Sequence, residues 1–338
     1  MIKTDASPLV SIIVVAWNNA LHLPRCLESL NRQSFKNFEV IIVDNGSSDG
    51  GTSNLDEKYA GLNLSVHRLD SNQGFSVANN VGAQIARGEW LALLNPDAFP
   101  EPDWLEQLLR AAEHFPAFSF FSSRQIQANR PDLLDGEGDA YHVSGLAWRR
   151  GYEMPVYPPG EAEEVFSPCG AAALYKRSEY LEVGGLDEDF FAYHEDVDLG
   201  FKLRLTGKRC LHVPQAVVHH IGSASSGKMS DFSVYHGHRN LVWSFFKNMP
   251  GWLFWFYLPL HLSVNIYLLI SYSLRGRSKV FWRAKRDAVL GLPQFLRKRK
   301  ALQQKRIASI SSIHAVLRRD WFEPRKIARQ RELANRKK

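Results

Sequence analysis

The stretch Leu91-Ala92-Leu93-Leu94-Asn95-Pro96-Asp97 is an apolar run that stops abruptly at a carboxylate. Such a run reads as a buried strand, and an open α/β sheet presents its ligand crevice at the C-terminal ends of its strands. One acid in that position can hold a divalent cation whose other ligands are phosphate oxygens. Two more acidic clusters flank the run, Asp44-Asn45-Gly46-Ser47-Ser48-Asp49 before it and His194-Glu195-Asp196-Val197-Asp198 after it. Together they suggest a site that grips a nucleotide diphosphate through a cation and transfers what it carries.

The elements around this strand agree. Residues 10–16 form a continuous apolar strand, after which Leu23, Leu27 and Leu30 recur at helical spacing. Residues 38–43 predict a second strand ending at Asp44, and 64–68 a third whose polar neighbours suit a sheet edge. Residues 75–86 predict a helix rich in small side chains, and Trp104, Leu105, Leu108, Leu109 and Ala112 an amphipathic helix after Pro102. Strands separated by such helices imply right-handed crossovers, so the fold class is α/β, a mostly parallel open sheet flanked by helices. Residues 124–165, rich in Gly, Pro and charge, are expected to form an insertion over the active face. A strand over 171–175, a helix over 196–206 and short runs at 210–213 and 216–218 close a catalytic domain spanning 1–240.

With 45% apolar residues in 338, the chain has material for a full core. Cys26, Cys169 and Cys210 are odd in number and lack metal-type spacing, which predicts reduced thiols in a cytosolic compartment. A strand begins within ten residues of Met1, so no secretory signal is expected. The net charge of +7 conceals an asymmetry. Residues 275–338 hold 21 Lys and Arg against 4 Asp and Glu, whereas the first 274 carry 21 basic and 31 acidic residues. A mildly acidic body joined to a polybasic helical tail (276–338) predicts attraction to an anionic membrane surface. Few aromatics interleave those charges, so no nucleic acid is expected as a partner.

Between body and tail lies a hydrophobic aromatic segment (241–275), in which 23 residues, 252–274, include no Lys, Arg, Asp or Glu. That length could span a bilayer. A single span would leave the basic tail inside and the catalytic body outside, away from cytosolic nucleotides. A peripheral or monotopic segment, lying in one leaflet or bent as a shallow hairpin at Pro259, keeps both ends on the cytoplasmic face of the membrane. That reading is preferred; a true span and a buried helical or dimer face are the alternatives.

Asp44, at a strand end, can accept hydrogen bonds from a base or a ribose, or it can order the turn that Asn-Gly-Ser-Ser-Asp favours. Asp49 suits loop support. The first strand exits through Ala16-Trp17-Asn18-Asn19 without a Gly-x-Gly-x-x-Gly turn or a P-loop, so the phosphates need another source of positive charge, and a metal is the natural substitute. Asp97 is the candidate ligand, with Asn95 fixing the turn. The acids of 194–198 open a helix whose dipole favours their ionised form, which suits a general base. One of the three is expected to be structural. Of His219 and His220, adjacent on a strand, at most one faces the site, as a metal ligand or as a structural histidine.

Taken in order, Val10-Ser11-Ile12-Ile13-Val14-Val15-Ala16-Trp17-Asn18, Val43 to Asp49, Asn72-Gln73-Gly74-Phe75-Ser76-Val77-Ala78-Asn79-Asn80-Val81-Gly82, Leu94-Asn95-Pro96-Asp97 and His194 to Asp198 resemble a family 2 glycosyltransferase of GT-A fold. The likeness is to the bacterial rhamnosyltransferase-like and galactofuranosyltransferase-like branch and covers about residues 8–240. The resemblance implies inverting transfer from a nucleotide-diphosphate sugar with Mg²⁺ or Mn²⁺, L-rhamnose being the first guess. It implies that Ala16, Asn18, Asp44, Asn72, Gly74, Asn79, Asn95 and Asp97 surround the donor. Asn95-Pro96-Asp97 matches the family's Asp-x-Asp motif with Asn at its first position, leaving Asp97 as metal ligand. His220, within His-x-Gly-Ser, matches a histidine that completes coordination. Asp196 matches the catalytic base, with Glu195 and His194 toward the acceptor. The acceptor is expected to be a lipid-linked or cell-surface glycan, met at the cytoplasmic membrane face. Arg239 and Asn240, in Tyr235-His236-Gly237-His238-Arg239-Asn240, could bind its diphosphate or serve as a hinge to the membrane segment. A non-catalytic scaffold on the same fold and a sugar nucleotidyltransferase are the competing readings. Retention of Asp97 and Asp196 opposes the first, and the missing glycine-rich basic loop the second.

Overall fold

The computed structural model describes residues 7–222 and 230–320. Residues 1–6, Ser223 of the histidine motif and the basic residues 321–338 lie outside the described residues.

The strands expected in the first hundred residues are β1 (Val10–Ala16), β2 (Phe38–Asp44), β3 (Leu64–Arg68) and β4 (Trp90–Leu94), separated by α1 (Leu23–Asn31), the single turn α2 (Leu55–Lys58) and α3 (Phe75–Ile85). A short β5 (Ala98–Pro100) and α4 (Trp104–His114) follow. Next come β6 (Phe120–Gln127), β7 (Arg130–Gly136), β8 (Asp139–Tyr141), β9 (Ala147–Arg149), β10 (Glu163–Val165), β11 (Ala172–Lys176) and α5 (Arg177–Glu182). A 3-10 turn at Glu188–Phe190 leads into α6 (Glu195–Leu205) and β12 (Cys210–His220). Four helices finish the described chain: α7 (Asp231–Asn248), α8 (Gly251–Leu274), α9 (Ser278–Gln304) and α10 (Ile310–Val316).

The central sheet runs β10-β12-β6-β11-β4-β1-β2-β3. β3, β2, β1 and β4 are parallel, whereas β11 is antiparallel to both β4 and β6. The sheet is therefore mixed and largely parallel, with helices on both faces. Strand order reverses between β1 and β4, and a crevice opens outside the carboxyl ends of strands at such a switch point. β1 and β2 are buried throughout, which explains their unbroken apolar composition, and β3 at the edge is mostly exposed. Alternate residues divide between two cores. Ile12 and Val14 meet Leu27, Leu30, Trp104 and Leu108 on one side, while Ile13 and Ile41 meet Ala78, Ala83 and Leu199 on the other. The small residues of α3 permit close approach, since a Cβ on Gly82 would lie 2.6 Å from Ile13 Cγ2.

Parts of the chain depart from expectation. The region 124–165 is not simply an insertion: residues 124–127 finish β6, which lies inside the central sheet between β12 and β11. The runs 210–213 and 216–218 are one strand with a bulge between Val213 and Val217. Phe190, Phe191 and Tyr193, a strand-like aromatic run in the sequence before the helix of 196–206, do not form a strand. Phe191, Tyr193 and His194 take left-handed backbone (φ 65°, 67° and 68°). α8 continues through Pro259, and the chain reverses at residues 275–277 instead.

The C-terminal helices pack on the body. α7 runs through residue 240, and its side chains from Asn240 to Phe245 are buried. Trp243 stacks on Phe295 of α9 with centroids 4.3 Å apart and donates its indole N–H to Ala288 O (2.9 Å). Leu253 and Phe254 of α8 join Tyr141, Phe166, Phe201 and Phe245 in a third core. The opposite face of α8 leaves Trp255, Phe256, Ile266, Tyr267 and Ile270 exposed. α8 is long and apolar enough to cross a membrane by length and composition.

Candidate active site

The C-terminal edge of the parallel strands collects the expected polar groups. After β2, Asp44 is buried; its Oδ1 accepts Ser47 N–H (2.9 Å) and its Oδ2 the Thr52 hydroxyl, so its turn-ordering role is present. Asn45 donates to Asn72 Oδ1 (3.0 Å) and Gly74 O (3.2 Å) and accepts Gln73 N–H (2.9 Å), which locks Asn72 and Gly74 against the end of β2. Gly74 has φ 91°, and a Cβ there would lie 2.6 Å from the Phe191 ring. After β1, Ala16 O accepts Asn45 N–H (2.8 Å), and Asn18 Oδ1 accepts Ser48 N–H (2.9 Å). Asp49 supports the loop by accepting Ala20 N–H and Gly51 N–H. Asn79 is buried in α3, its amide donating to Phe75 O (2.9 Å).

Beyond β4, Asp97 and His220 meet. β12 pairs antiparallel with β5, setting His220 opposite Ala98. His220 Nε2 lies 3.3 Å from Asp97 Oδ1, while His219 points the other way and donates to Glu101 (2.7 Å). His220 Nδ1–H donates to Asp135 Oδ2 (2.8 Å), and Arg149 Nη1 pairs with the same carboxylate (2.6 Å). Burial disfavours the imidazolium, yet the flanking Asp135 and Asp97 raise the His220 pKa to about 9. Burial likewise pushes the Asp97 carboxyl up, but His220 overrides it and holds the group below its ordinary value.

These residues fit a divalent cation. His220 Nε2 and Asn95 Oδ1 are both buried without a hydrogen-bond partner. A carboxylate oxygen and an imidazole nitrogen about 3 Å apart suit neighbouring ligands of one ion with bonds of about 2.1 Å. The carboxylate on Nδ1 is the usual device for aiming a ligating histidine. Among the described residues no three His, Cys, Asp or Glu side chains converge as a complete cage, so the remaining ligands would come from elsewhere, as diphosphate oxygens can.

Asp196 sits at the same edge. Its Oδ2 accepts Gly170 N–H (2.9 Å), and the neighbouring Ala171 O accepts Asn95 N–H (2.9 Å), so Asp196 and the Asn95-Pro96-Asp97 turn grip adjacent residues just before β11. Glu195 is buried; burial and Asp196 push its carboxyl well above its ordinary range. Asp139 on β8 shows the same shift for the same two reasons. His194 is pushed down to about 4, mainly by burial. Asp198 is the structural acid of the three, bound by Lys247 Nζ and Asn248 Nδ2 (2.7 Å each). Asn240, fully buried, donates to Phe190, Ala192 and Tyr193 carbonyls, and Arg239 donates to Asp189 O and Phe190 O. Both therefore hold the left-handed loop ahead of Asp196, and the Asn240 amide is fully engaged in that role.

Sequence reasoning missed Asp135, Asp139, Arg149 and Gly170. The alternation of acid and glycine in Asp135-Gly136-Glu137-Gly138-Asp139 was the available signal.

Residues 11–183 match the sequence model of the glycosyl transferase family 2. The chain belongs to that family. As a family 2 glycosyltransferase it is 28% identical over 304 residues (80% of this chain, 95% of the relative) to the N-acetylglucosaminyl-diphospho-decaprenol L-rhamnosyltransferase of Mycobacterium tuberculosis. Its fold is similar to the S. aureus TarS 1–349 structure in complex with UDP-GlcNAc, with TM-score 0.56 and 19% identity over 91% of this chain and 90% of that one. It is also similar to mannosyltransferase PcManGT from Pyrobaculum calidifontis in complex with GDP-Man and Mn²⁺, with TM-score 0.53 and 18% identity over 89% and 86%. At these identities the structural likeness speaks to the GT-A fold alone. The mixed, largely parallel sheet with flanking helices is that fold.

Proposed function

We propose that this glycosyltransferase moves a sugar, L-rhamnose first, from a nucleotide-diphosphate donor to a hydroxyl of a lipid-linked glycan, in one inverting displacement. The observation that carries the reading is the shared grip of Asp196 and the Asn95-Pro96-Asp97 turn on Gly170 and Ala171. Asp97 and His220 would hold Mg²⁺ or Mn²⁺, which when bound supplies Lewis-acid stabilisation of the departing diphosphate. The loops ending β1 and β2, with Asn18, Asp44, Asn72 and Gly74, would seat the nucleoside. Asp196 takes the proton from the acceptor oxygen as that oxygen attacks the anomeric carbon. Gly170 N–H orients its Oδ2 for the task, and Glu195 and His194 stand beside it toward the acceptor. The rhamnosyl donor and the diphosphate-lipid acceptor are supported by the name of the mycobacterial relative.

The enzyme would work at the cytoplasmic membrane face. One side of α8 packs along the catalytic body, so the helix would lie in one leaflet rather than cross it. A panel of nucleotide sugars, assayed with Mn²⁺ for release of nucleoside diphosphate, tests donor and metal together. Asp196→Asn is expected to keep donor binding and lower transfer by about 10²–10⁴-fold, the usual worth of a general base. Unaltered turnover in that variant would reject the assignment.

A further inference from the structure

Among the described residues, Lys285 of α9 is a half-buried cation without an acid. Its ammonium donates to neutral oxygens, His238 O on α7 (2.7 Å) and Asn265 Oδ1 on α8. The other inward lysines of this region differ: Lys247 bonds Asp187 and Asp198, and Lys298 bonds Asp187 and Asp189. Two imidazoles share the neighbourhood. His194 Nδ1 and His238 Nδ1 are buried with no hydrogen-bond partner. The ring of His238 is backed by Tyr272 and Phe281, with centroids 4.8 and 4.6 Å away.

We propose that this cluster of Lys285, His238, His194 and Asn265 binds the diphosphate that joins the acceptor's glycan to its lipid. The proposal rests on the transfer reading above and supplies its second substrate site. An unpaired ammonium and two unpartnered ring nitrogens can all donate to phosphate oxygens, which would offset the cost of burying them. Burial alone pushes the Lys285 ammonium down to about 7. His194 lies two residues before the candidate base Asp196, and α8 and α9, which supply Asn265 and Lys285, also carry exposed apolar residues. Reacting sugar, diphosphate and prenyl tail would thus meet Asp196, Lys285 and the apolar face in turn.

The test is calorimetric titration of the full chain with geranylgeranyl diphosphate in detergent micelles, with chelator present so that metal cannot recruit the probe to the donor site. Geranylgeraniol and phosphatidylglycerol vesicles serve as controls. The wild type is expected to prefer the diphosphate to the alcohol by at least tenfold. Lys285→Gln and His238→Ala should each lose most of that preference, Lys285→Arg should keep it, and vesicle binding should stay unchanged. Undiminished diphosphate binding in both loss variants, or no preference in the wild type, would overturn the site. A parallel loss of vesicle binding would reassign it to phospholipid headgroups and also overturn it. Donor binding with Mn²⁺ is measured separately. No donor taken up alongside intact, Lys285-dependent diphosphate binding would fault the transfer reading while leaving the site standing. Normal donor uptake with Lys285-independent binding would do the reverse.

Discussion

Asp135 shows what a single carboxylate does without touching the reaction. It fixes the His220 ring through Nδ1, which turns Nε2 toward Asp97. Asp135→Asn is expected to weaken Mn²⁺ binding by about 10–100-fold, the usual effect of losing such a partner, while nucleoside affinity without metal is retained. Mn²⁺ titration by electron paramagnetic resonance reads this directly, and an unchanged affinity would remove Asp135 from the site. Gly74 is the other decisive position. Its φ of 91° disfavours any side chain, and an added methyl would meet the Phe191 ring at 2.6 Å. Gly74→Ala should cost about 1–3 kcal/mol in strain and lower kcat by displacing the loop ahead of Asp196, read by thermal denaturation together with steady-state kinetics. Asp97 and Asp196 could be singled out as candidates because each lies beside the end or start of a regular element. Asp135 was not, because it lies in a glycine-rich stretch without periodicity, and only β7 pairing with β6 brings it toward His220.

At the scale of elements, α6, α7 and α9 are wired together by buried charge. Lys247 of α7 bonds Asp198 in the first turn of α6 and Asp187 before the base loop, and Lys298 of α9 bonds Asp187 and Asp189. Lys247→Met would leave buried Asp198 without its nearest cation and Asp187 with Lys298 alone, and is expected to cost about 3 kcal/mol at pH 7. Burial pushes the Asp187 carboxyl up, but Lys247 and Lys298 outweigh it and hold the group well below its ordinary value. A depressed carboxyl contributes stability that is full above about pH 4 and is lost as pH falls through the lowered value. The difference in Tm between wild type and variant should therefore narrow on acidification, as the variant's unpaired acids take up protons first. An equal gap at pH 7 and at about pH 2.5 would show that the pairs do not act this way. The wiring also explains the irregular loop at Phe190 to Tyr193: left-handed Phe191 and Tyr193 persist there because Asn240 and Arg239 hold the carbonyls of Phe190, Ala192 and Tyr193.

For the whole molecule, the apolar segment divides into two faces that composition alone could not separate. Leu253, Phe254, His261 and Val264 are buried, and Trp255, Phe256, Ile266 and Ile270 are not. Replacing the last four with serine should reduce sedimentation with anionic vesicles by at least tenfold while leaving Tm within a few degrees. The basic residues of α9 would supply the rest of the attraction, at about 1 kcal/mol per near-surface charge. Vesicle binding that survives the replacement would exclude this face as the anchor. Deletion from residue 250 is a poorer experiment, because it would also strip cover from Phe245, Met249 and Trp243.

Apolar period and the residues at strand ends are local properties, so the strand-and-helix alternation, the sheet edge that carries the acids and the family could all be read from the chain before it folds. Which histidine faces Asp97, the structural roles of Asp198 and Asn240 and the docking of α9 on the body could not. Those outcomes depend on which distant residues supply a counter-charge or a hydrogen-bond donor, and only the packed chain brings such partners within reach.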